Sequence, residues 1–505
     1  MKKLLFAMMV ASGAALPLGA AGVPALVPMP REIDATGGEC VLTRPPVIEV
    51  DGSVPAEGYR LSVTPDGVTI RHSDAAGLFY AKVTLRQLET RRGSEGAVYP
   101  CCEISDSPAF RWRGVHLDDV RHFFGKGTVK RILGEIAQYK FNVFHWHLTD
   151  SQAWLIDIPG YPELVNQGRG REFGEAVGPF RYTANDIREV LAYAAERHVT
   201  VVPEVEFPGH FGAALRAYPE FACPGGGKVM CIGNPDAVKF AEDVLDYVCE
   251  LFPSEVIHIG GDECKREYWA KCPRCRAMME REGMTDPGEL QQWLTKRLSA
   301  HLAATGRRAI GWDEIFDGGV SLPSNTMGMC WRPADGVGPE GAGTAHGVAN
   351  AGREVVMCPY SHCYFDYSQG LDEDPFDYFG RRSISLEKVY SFDPLSGVAP
   401  DARKFVVGAQ CNNWSERTFA LPDLEWKLWP RALALAEVLW TYPDPHRRDF
   451  AQFASRAEEH RRRLLRDHVN CAGIANRKTE IVPVPRCTYG ATTLRLAVFP
   501  DLTAK

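Results

Sequence analysis

The run Val256-Ile-His-Ile-Gly-Gly-Asp-Glu263 is a short apolar stretch halted by two glycines and two carboxylates. A run of this length reads as a buried strand, and the paired acids then fall where that strand ends. The same rhythm recurs along the chain. Candidate strands are Gly114–Leu117, Val143–His147, Thr200–Val205, Val256–Ile259, Ala309–Trp312, Thr326–Trp331, Val355–Pro359 and Phe405–Ala409. Helical stripes lie between them: Val129, Ile132, Leu133 and Ile136; Ile187, Val190, Leu191 and Ala194; and Leu290, Leu294, Leu298 and Leu302. Thr183, with Asp186 three residues on, resembles an N-capping arrangement for the second of these. Eight strand–helix units over about 330 residues indicate an α/β fold of the (β/α)8 (TIM barrel) type, with Leu424 to Trp440 as its last helix. A doubly wound sheet is the alternative, but no GxGxxG or P-loop follows any strand.

Outward from the barrel, residues 22–107 read as a small α+β domain. Tyr59-Arg-Leu-Ser-Val63 and Gly67-Val-Thr-Ile-Arg71 alternate with a period of two and are joined by Thr64-Pro-Asp-Gly67, a hairpin signature. Ala75 to Glu89 follows as an amphipathic helix with Leu78, Val83, Leu85 and Leu88 on its apolar face. The barrel is expected over 108–441. Residues 442–505 form a short C-terminal extension, with a basic helical stretch (Glu459-His-Arg-Arg-Arg463), read as a solvated face, and then Pro-rich, strand-like sequence. At the other end, Lys2 and Lys3 precede the apolar run Leu4 to Val10, with small residues at Gly19-Ala20-Ala21. Residues 1–21 therefore read as a signal peptide and point to export, periplasmic or extracellular. The run is too short for a membrane anchor and is broken by Gly13 and Pro17.

Composition narrows the function classes. With 505 residues, 45% hydrophobic and 24% charged, the chain is globular and long enough for two or three domains. A net charge of -7 leaves no basic footprint for nucleic acid. Eleven tryptophans and seventeen tyrosines suit the flat apolar faces of sugars, although aromatics are core residues by default. Fifteen cysteines fit an oxidising compartment and leave one over. Cys272-Pro-Arg-Cys275, with Cys264 eight residues earlier, has the makings of a zinc site. Without a second pair of matching spacing, a disulfide or free thiols are expected instead, and Cys223 and Cys231 are a candidate local bridge.

Polar and aromatic residues gather just past the candidate strands, where a barrel enzyme keeps its active site. In order they are Asp118-Asp-Val-Arg-His122, Asp150, Glu206-Phe-Pro-Gly-His210, Asp262-Glu263, Trp312, Trp331, Tyr364-Phe-Asp366 and Trp414-Ser-Glu416. Asp262 and Glu263 would face opposite ways on a continuing strand but can share a pocket if the chain turns. Two close carboxylates divide into one protonated and one ionised group, which is what glycosidic cleavage requires. An Asp-Glu pair that merely caps the next helix is the plainer alternative. His145 and His147 share a strand face; packing and hydrogen bonding account for them more readily than a metal, since other strand ends offer aromatics rather than ligands. Trp312, Trp331 and Trp414 are read as walls of a sugar pocket.

In these segments the sequence resembles glycoside hydrolase family 20, the β-N-acetylhexosaminidases. The matching stretches are Arg113-Gly-Val-His-Leu-Asp-Asp-Val-Arg-His-Phe-Phe124, Lys140-Phe-Asn-Val-Phe-His-Trp-His-Leu-Thr-Asp150, Pro203-Glu-Val-Glu-Phe-Pro-Gly-His210, His258-Ile-Gly-Gly-Asp-Glu263, Gly311-Trp-Asp-Glu314 and Trp414-Ser-Glu416. The resemblance implies exo-acting, retaining hydrolysis of terminal GlcNAc or GalNAc, with the substrate's 2-acetamido group as nucleophile and no metal or organic cofactor. Glu263 would be the acid and then the base, Asp262 would orient the acetamido group, and Tyr364 would hydrogen-bond its oxygen. Arg121, Asp366 and Glu416 would hold sugar hydroxyls, Trp312, Trp331 and Trp414 would enclose the acetamido methyl and the sugar face, and Asp150 and His210 would tune Glu263.

The match has departures. Ser151 stands where the family often has a second acid, Glu206 replaces its usual Asp, and Ala153-Trp154 replaces Gly-Trp. These bear on fine tuning and aglycone preference. A relative of different specificity, acting on disaccharides or sulfated GlcNAc, and a silent glycan-binding barrel are the competing readings. Intact Asp262, Glu263 and Tyr364 argue against the last.

Overall fold

The computed structural model describes residues 25–474 except 95, 168–179, 226–227, 318–321, 333–344, 371–382 and 447, and short strand segments between 482 and 498. The leader expected over residues 1–21 lies outside the described residues. The chain divides after Pro108 into two compact units.

The first unit is a six-stranded sheet with one helix. Its strands are β1 (Glu32–Leu42), β2 (Val47–Val50), β3 (Tyr59–Thr64), β4 (Gly67–His72), β5 (Arg91–Gly93) and β6 (Gly96–Asp106), in the order β1-β6-β3-β4-β2, with β5 on β6. The expected hairpin is β3–β4, antiparallel from Tyr59↔His72 to Thr64↔Gly67. The helix Ala75–Leu88 starts where the Asp74 carboxylate accepts from Gly77 N (2.7 Å). Its buried face is Gly77, Tyr80, Ala81, Thr84, Leu85 and Leu88. Leu78 and Val83, expected on that face, are half-buried flanks; the stripe follows the spacing of 80, 81, 84, 85 and 88, which the aromatic at 80 anchors.

The second unit is a (β/α)8 barrel. Its strands are β7 (Trp112–Asp118), β8 (Val143–His147), β9 (Thr200–Glu204), β10 (Val256–His258), β11 (Arg308–Trp312), β12 (Met327–Cys330), β13 (Val355–Met357) and β14 (Val406–Asn413), all parallel. β14 pairs with β7 to close the ring, Ala409 opposite Arg113. All eight strands expected from the sequence are present within a few residues of their predicted bounds. Strands covered on both faces need apolar side chains on both, hence the near-continuous runs that made them legible. The three helical stripes lie on Gly125–Ala137, Ala184–Ala195 and Gly288–Ala304, and the second helix carries a reciprocal capping box between Thr183 and Asp186.

Two expectations need correction. The last barrel helix is two helices, Leu421–Leu428 and Arg431–Trp440, because Pro430 lacks an N–H and forces Trp429 into extended backbone. In the extension, the helix Phe450–Arg466 carries the arginine run, but only Arg462 is mostly solvated, with side-chain exposure 56% against 24% for Arg461 and 18% for Arg463. Beyond it, Val482–Pro483 pairs with Ala497–Val498 and Cys487–Tyr489 with Thr492–Leu494. Among the described residues, no helix is long and apolar enough to cross a membrane.

Candidate active site

The site begins with the backbone past β10. Gly260 (φ +68°) and Gly261 (φ +107°) take left-handed conformations, and a Cβ on either would strike a neighbour, Glu206 Oε2 at 1.9 Å or Ile315 Cγ2 at 2.4 Å. Glu263 itself has φ +48°, a conformation that costs a non-glycine residue about 1 kcal/mol and concentrates at functional sites. The turn cancels strand alternation. Asp262 and Glu263 both reach the same imidazole, His210 Nε2, at 3.4 and 3.5 Å. They differ sharply in exposure: the Asp262 side chain is 14% exposed, that of Glu263 62%.

His210, also left-handed (φ +47°), places Nδ1 3.1 Å from Asp150 Oδ1. Asp150 in turn binds Arg121 Nη2 at 2.7 Å, and Arg121 Nη1 lies 3.3 Å from Asp118. Glu416 stands 3.9 Å from the same guanidinium, which also lies over the Trp414 ring at 5.0 Å. Arg121 is thus held in one orientation, while its Nε is buried with no hydrogen-bond partner among the described residues.

The charges settle accordingly. Burial alone would raise Asp150, but Arg121 and His210 hold its carboxyl well below the usual range. Burial alone would lower His210, but Asp150 and Asp262 push it well above an ordinary histidine, so it is a cation at neutral pH. Hydrogen bonding to His210 lowers Glu263, whereas burial raises Asp262 to about 6. The two carboxyls are thus displaced in opposite directions, Asp262 upward and Glu263 downward. That division is the reverse of the one expected for an acid at Glu263.

Beside the pair runs a chain of rings. Trp312 and Trp414 have centroids 5.7 Å apart, Trp414 and Tyr364 6.3 Å, and Tyr364 stacks on Trp331 at 6.3 Å. Tyr364 is pushed well above an ordinary tyrosine, chiefly by burial, so its hydroxyl stays protonated. Trp331 donates to Glu314 Oε2 (2.8 Å), and Trp312, buried to 1% exposure, donates to Glu204 Oε1 (2.7 Å). Asp366 is buried, with its carboxyl raised to about 8 by burial and by Glu416. On the Glu263 side a cleft of about 1080 Å³ opens, lined by Arg121, Asp150, His210, Glu263 and Glu416 with a rim that includes Arg216, Lys265 and Arg274. Arg121, Asp150, His210, Asp262, Glu263 and Glu416 thus meet in one charged network and Trp312, Trp331, Tyr364 and Trp414 in one chain of rings, while Asp366 is linked to them through the charge of Glu416.

Several further residues build the site. Asp118 accepts from the backbone N–H of Val120 (2.9 Å), Arg121 (3.1 Å) and Ser415 (2.9 Å), tying the ends of β7 and β14 together. Glu314, raised to about 7 by burial and by Asp262, supports Trp331. Below lies Glu204, 3.0 Å from His258, 3.1 Å from His145 and 3.7 Å from His116. Burial would raise Glu204, but the histidines hold it well below the ordinary range. Asp118 and Glu314 open and close motifs quoted above; a carboxylate inside an apolar strand was itself the available sign for Glu204. His145 and His147 belong to this floor, with Gln410 Nε2 3.0 Å from His145 Nδ1 and the Thr149 carbonyl 2.7 Å from His147 Nε2.

The cysteine expectations change most. Cys223 and Cys231 form no bridge; both are free and buried, and they meet Cys272 and Cys275. Cys264 is not among them. Its thiol lies 3.4 Å from the Asp262 carbonyl.

A closed (β/α)8 barrel with paired carboxylates, a fixed arginine and stacked rings at its C-terminal strand ends has the architecture of a glycoside hydrolase. Residues 110–443 match the model for the glycosyl hydrolase family 20 catalytic domain, and residues 43–107 the model for domain 2 of the same family. The chain belongs to glycosyl hydrolase family 20. It is 39% identical to a β-hexosaminidase of Porphyromonas gingivalis over 81% of its own length, but spans only 54% of that protein. A β-hexosaminidase of Akkermansia muciniphila is 32% identical over 83% of this chain and 85% of its own. Among solved structures, the exo β-N-acetylglucosaminidase of Vibrio harveyi superposes with a TM-score of 0.81 at 28% identity, covering 93% of this chain and 81% of that one.

Proposed function

We propose that the chain is an exo-acting, retaining β-N-acetylhexosaminidase that uses the substrate's own acetamido group as nucleophile. The asymmetry of the carboxylate pair carries this reading. Asp262 is the less exposed of the two, and its charge is felt by Tyr364 and Glu314 among the rings, whereas Glu263 faces the open cleft. A terminal sugar seated on the ring side would put its acetamido group against Asp262 and Tyr364 and its leaving oxygen against Glu263.

In this scheme Arg121, Asp366 and Glu416 hold hydroxyls, and Trp312, Trp331 and Trp414 enclose the acetamido methyl and the sugar face. Asp262 accepts the acetamido N–H and turns the carbonyl oxygen toward the anomeric carbon, with Tyr364 donating to that oxygen. Glu263 protonates the departing oxygen as the C–O bond breaks, leaving an oxazolinium ion. Water then opens the ring with Glu263 as base, so the β configuration is retained. No enzyme nucleophile or cofactor takes part.

Substrate binding supplies the correct proton distribution. A sugar and its aglycone cover Glu263, and lost water raises a carboxyl. The acetamido N–H stabilises ionised Asp262 and lowers it. Both changes move the proton from Asp262 to Glu263, with His210 between them. Export to the periplasm or beyond is proposed from the leader sequence, to be checked by the N-terminus of the mature protein.

The deciding experiment is a panel of aryl β-glycosides of GlcNAc, GalNAc, sulfated GlcNAc and glucose, with NMR of the first-formed anomer. Turnover of N-acetylated sugars with β product supports the proposal; comparable turnover of the glucoside, or α product, overturns it.

A further inference from the structure

The sulfurs of Cys223, Cys231, Cys272 and Cys275 all lie within 4.8 Å of one another, and all four residues are buried. Cys223–Cys275 is 3.9 Å, Cys231–Cys272 3.7 Å and Cys231–Cys275 3.7 Å. Four thiolates around zinc at about 2.3 Å stand at the corners of a tetrahedron whose edge is about 3.8 Å. Disulfides would instead draw the sulfurs into pairs about 2.05 Å apart. No such pairing is set up, since Cys231 is equally distant from Cys272 and Cys275. We propose that these four cysteines bind one zinc ion.

The surroundings fit a thiolate site. Cys272-Pro-Arg-Cys275 opens the helix Pro273–Glu282, whose N-terminal dipole favours negative sulfur. The Gly233 N–H is hydrogen-bonded to Cys275. A Cβ at Gly233 would lie 2.4 Å from the Arg274 carbonyl carbon, so only glycine lets the two segments approach this closely. Trp269 Nε1 donates to the Met230 carbonyl (2.9 Å), latching the same segments. An all-sulfur donor set selects zinc over the hard cations that carboxylates hold.

The site joins the segment that follows β9 to the one that follows β10. Both form the wall of the cleft beyond Glu263, through Cys223, Pro224, Lys228 and Arg274. The ion would thus staple the two loops that face the leaving group. Its role is positional, remote from the reacting atoms, and each thiol gives up its proton on binding.

The test uses the full chain with its leader, purified without chelator, and elemental analysis beside thiol counting under denaturing, non-reducing conditions. One zinc per chain is expected, released as a mercurial reagent titrates the four thiols and absent from Cys272→Ser/Cys275→Ser. Should that variant fail to fold, cobalt exchanged into the wild-type chain should show the visible bands of tetrahedral thiolate coordination. Zinc loss should raise KM for extended glycans more than for a small aryl glycoside. Two disulfides among the four residues, or substoichiometric metal with four free thiols, would overturn the proposal, and bound iron would overturn the choice of zinc.

Discussion

Removing the charge of His210 should move the alkaline limb of the kcat/KM profile upward by at least one pH unit. In the proposed mechanism the working carboxylate pair carries one proton, so it is most populated between the pKa of Glu263, held low by His210, and that of Asp262, about 6. The wild-type limb should therefore fall near pH 6. His210 Nε2 sits 3.4 Å from Asp262 Oδ2, with side chains 18% and 14% exposed. Unit charges at that separation interact by about 5 kcal/mol at an effective dielectric of about 20, and by about 1.2 kcal/mol if the cleft behaves as water. At about 1.36 kcal/mol per unit, His210→Asn should shift the limb by about one to three and a half units. The sign follows from the charge: the cation favours ionised Asp262, so its loss raises that carboxyl and the pair keeps its proton to higher pH. Initial rates at substrate concentrations well below KM, on an aryl N-acetylglucosaminide from about pH 4 to about 9, give the position of the limb separately from its height. A limb that stays in place or moves toward acid would refute the electrostatic reading.

Glu263→Gln should lower kcat/KM on an unactivated N-acetylglucosaminide by roughly 100- to 10,000-fold and far less on an activated aryl glycoside; equal losses on both would remove Glu263 as the acid. Asp262→Asn should lower kcat by orders of magnitude on both substrates, since acetamido orientation is needed whatever the leaving group. Gly261→Ala should abolish turnover and lower the melting temperature, because the new Cβ meets Ile315 Cγ2 at 2.4 Å in a backbone at φ +107°; near-normal activity would show that the turn is not what aims the pair. Glu437→Ala leaves Arg456 buried without its two 2.7 Å contacts and should cost about 3 kcal/mol in urea unfolding, with the active site intact.

What could be read in advance follows from which forces are local. Barrel strands sandwiched between two packed layers are apolar over most of their length, so all eight were visible, and β10 was visible although only three residues long. Strand ends were equally legible, since the barrel brings them to one face wherever they lie in the chain. The break at Trp429-Pro430 was signalled by the proline and hidden by an apolar pattern that continues through it. Proton positions were illegible because they depend on exposure. Asp262 and Glu263 are chemically near-equivalent neighbours in sequence, yet one is mostly covered and the other faces the cleft. The four-cysteine cluster escaped for a topological reason: its halves lie on different βα loops, and Cys223–Cys231 has none of the short spacing that Cys272–Cys275 shows.

In the proposed mechanism the same separation explains why Glu263 can serve as an acid at all. A carboxyl that is permanently buried and protonated could donate once but would be slow to regain its proton from water. Glu263 is exposed, with its carboxyl lowered by His210, which also touches Asp262. In that mechanism Asp262, whose carboxyl burial raises, is the one that becomes an anion when an acetamido N–H arrives. Substrate binding and acid activation would then be a single event, because the sugar's N–H lowers Asp262 while its aglycone covers Glu263. A plain glucoside presents a 2-hydroxyl donor where the N–H would sit, so it can still lower Asp262 but carries no acetamido nucleophile. A glucoside carrying a leaving group that needs no acid tests the nucleophile alone. If such a substrate turned over as fast as its N-acetylated counterpart, the nucleophile would not be the acetamido group, and the coupling argued here would be void.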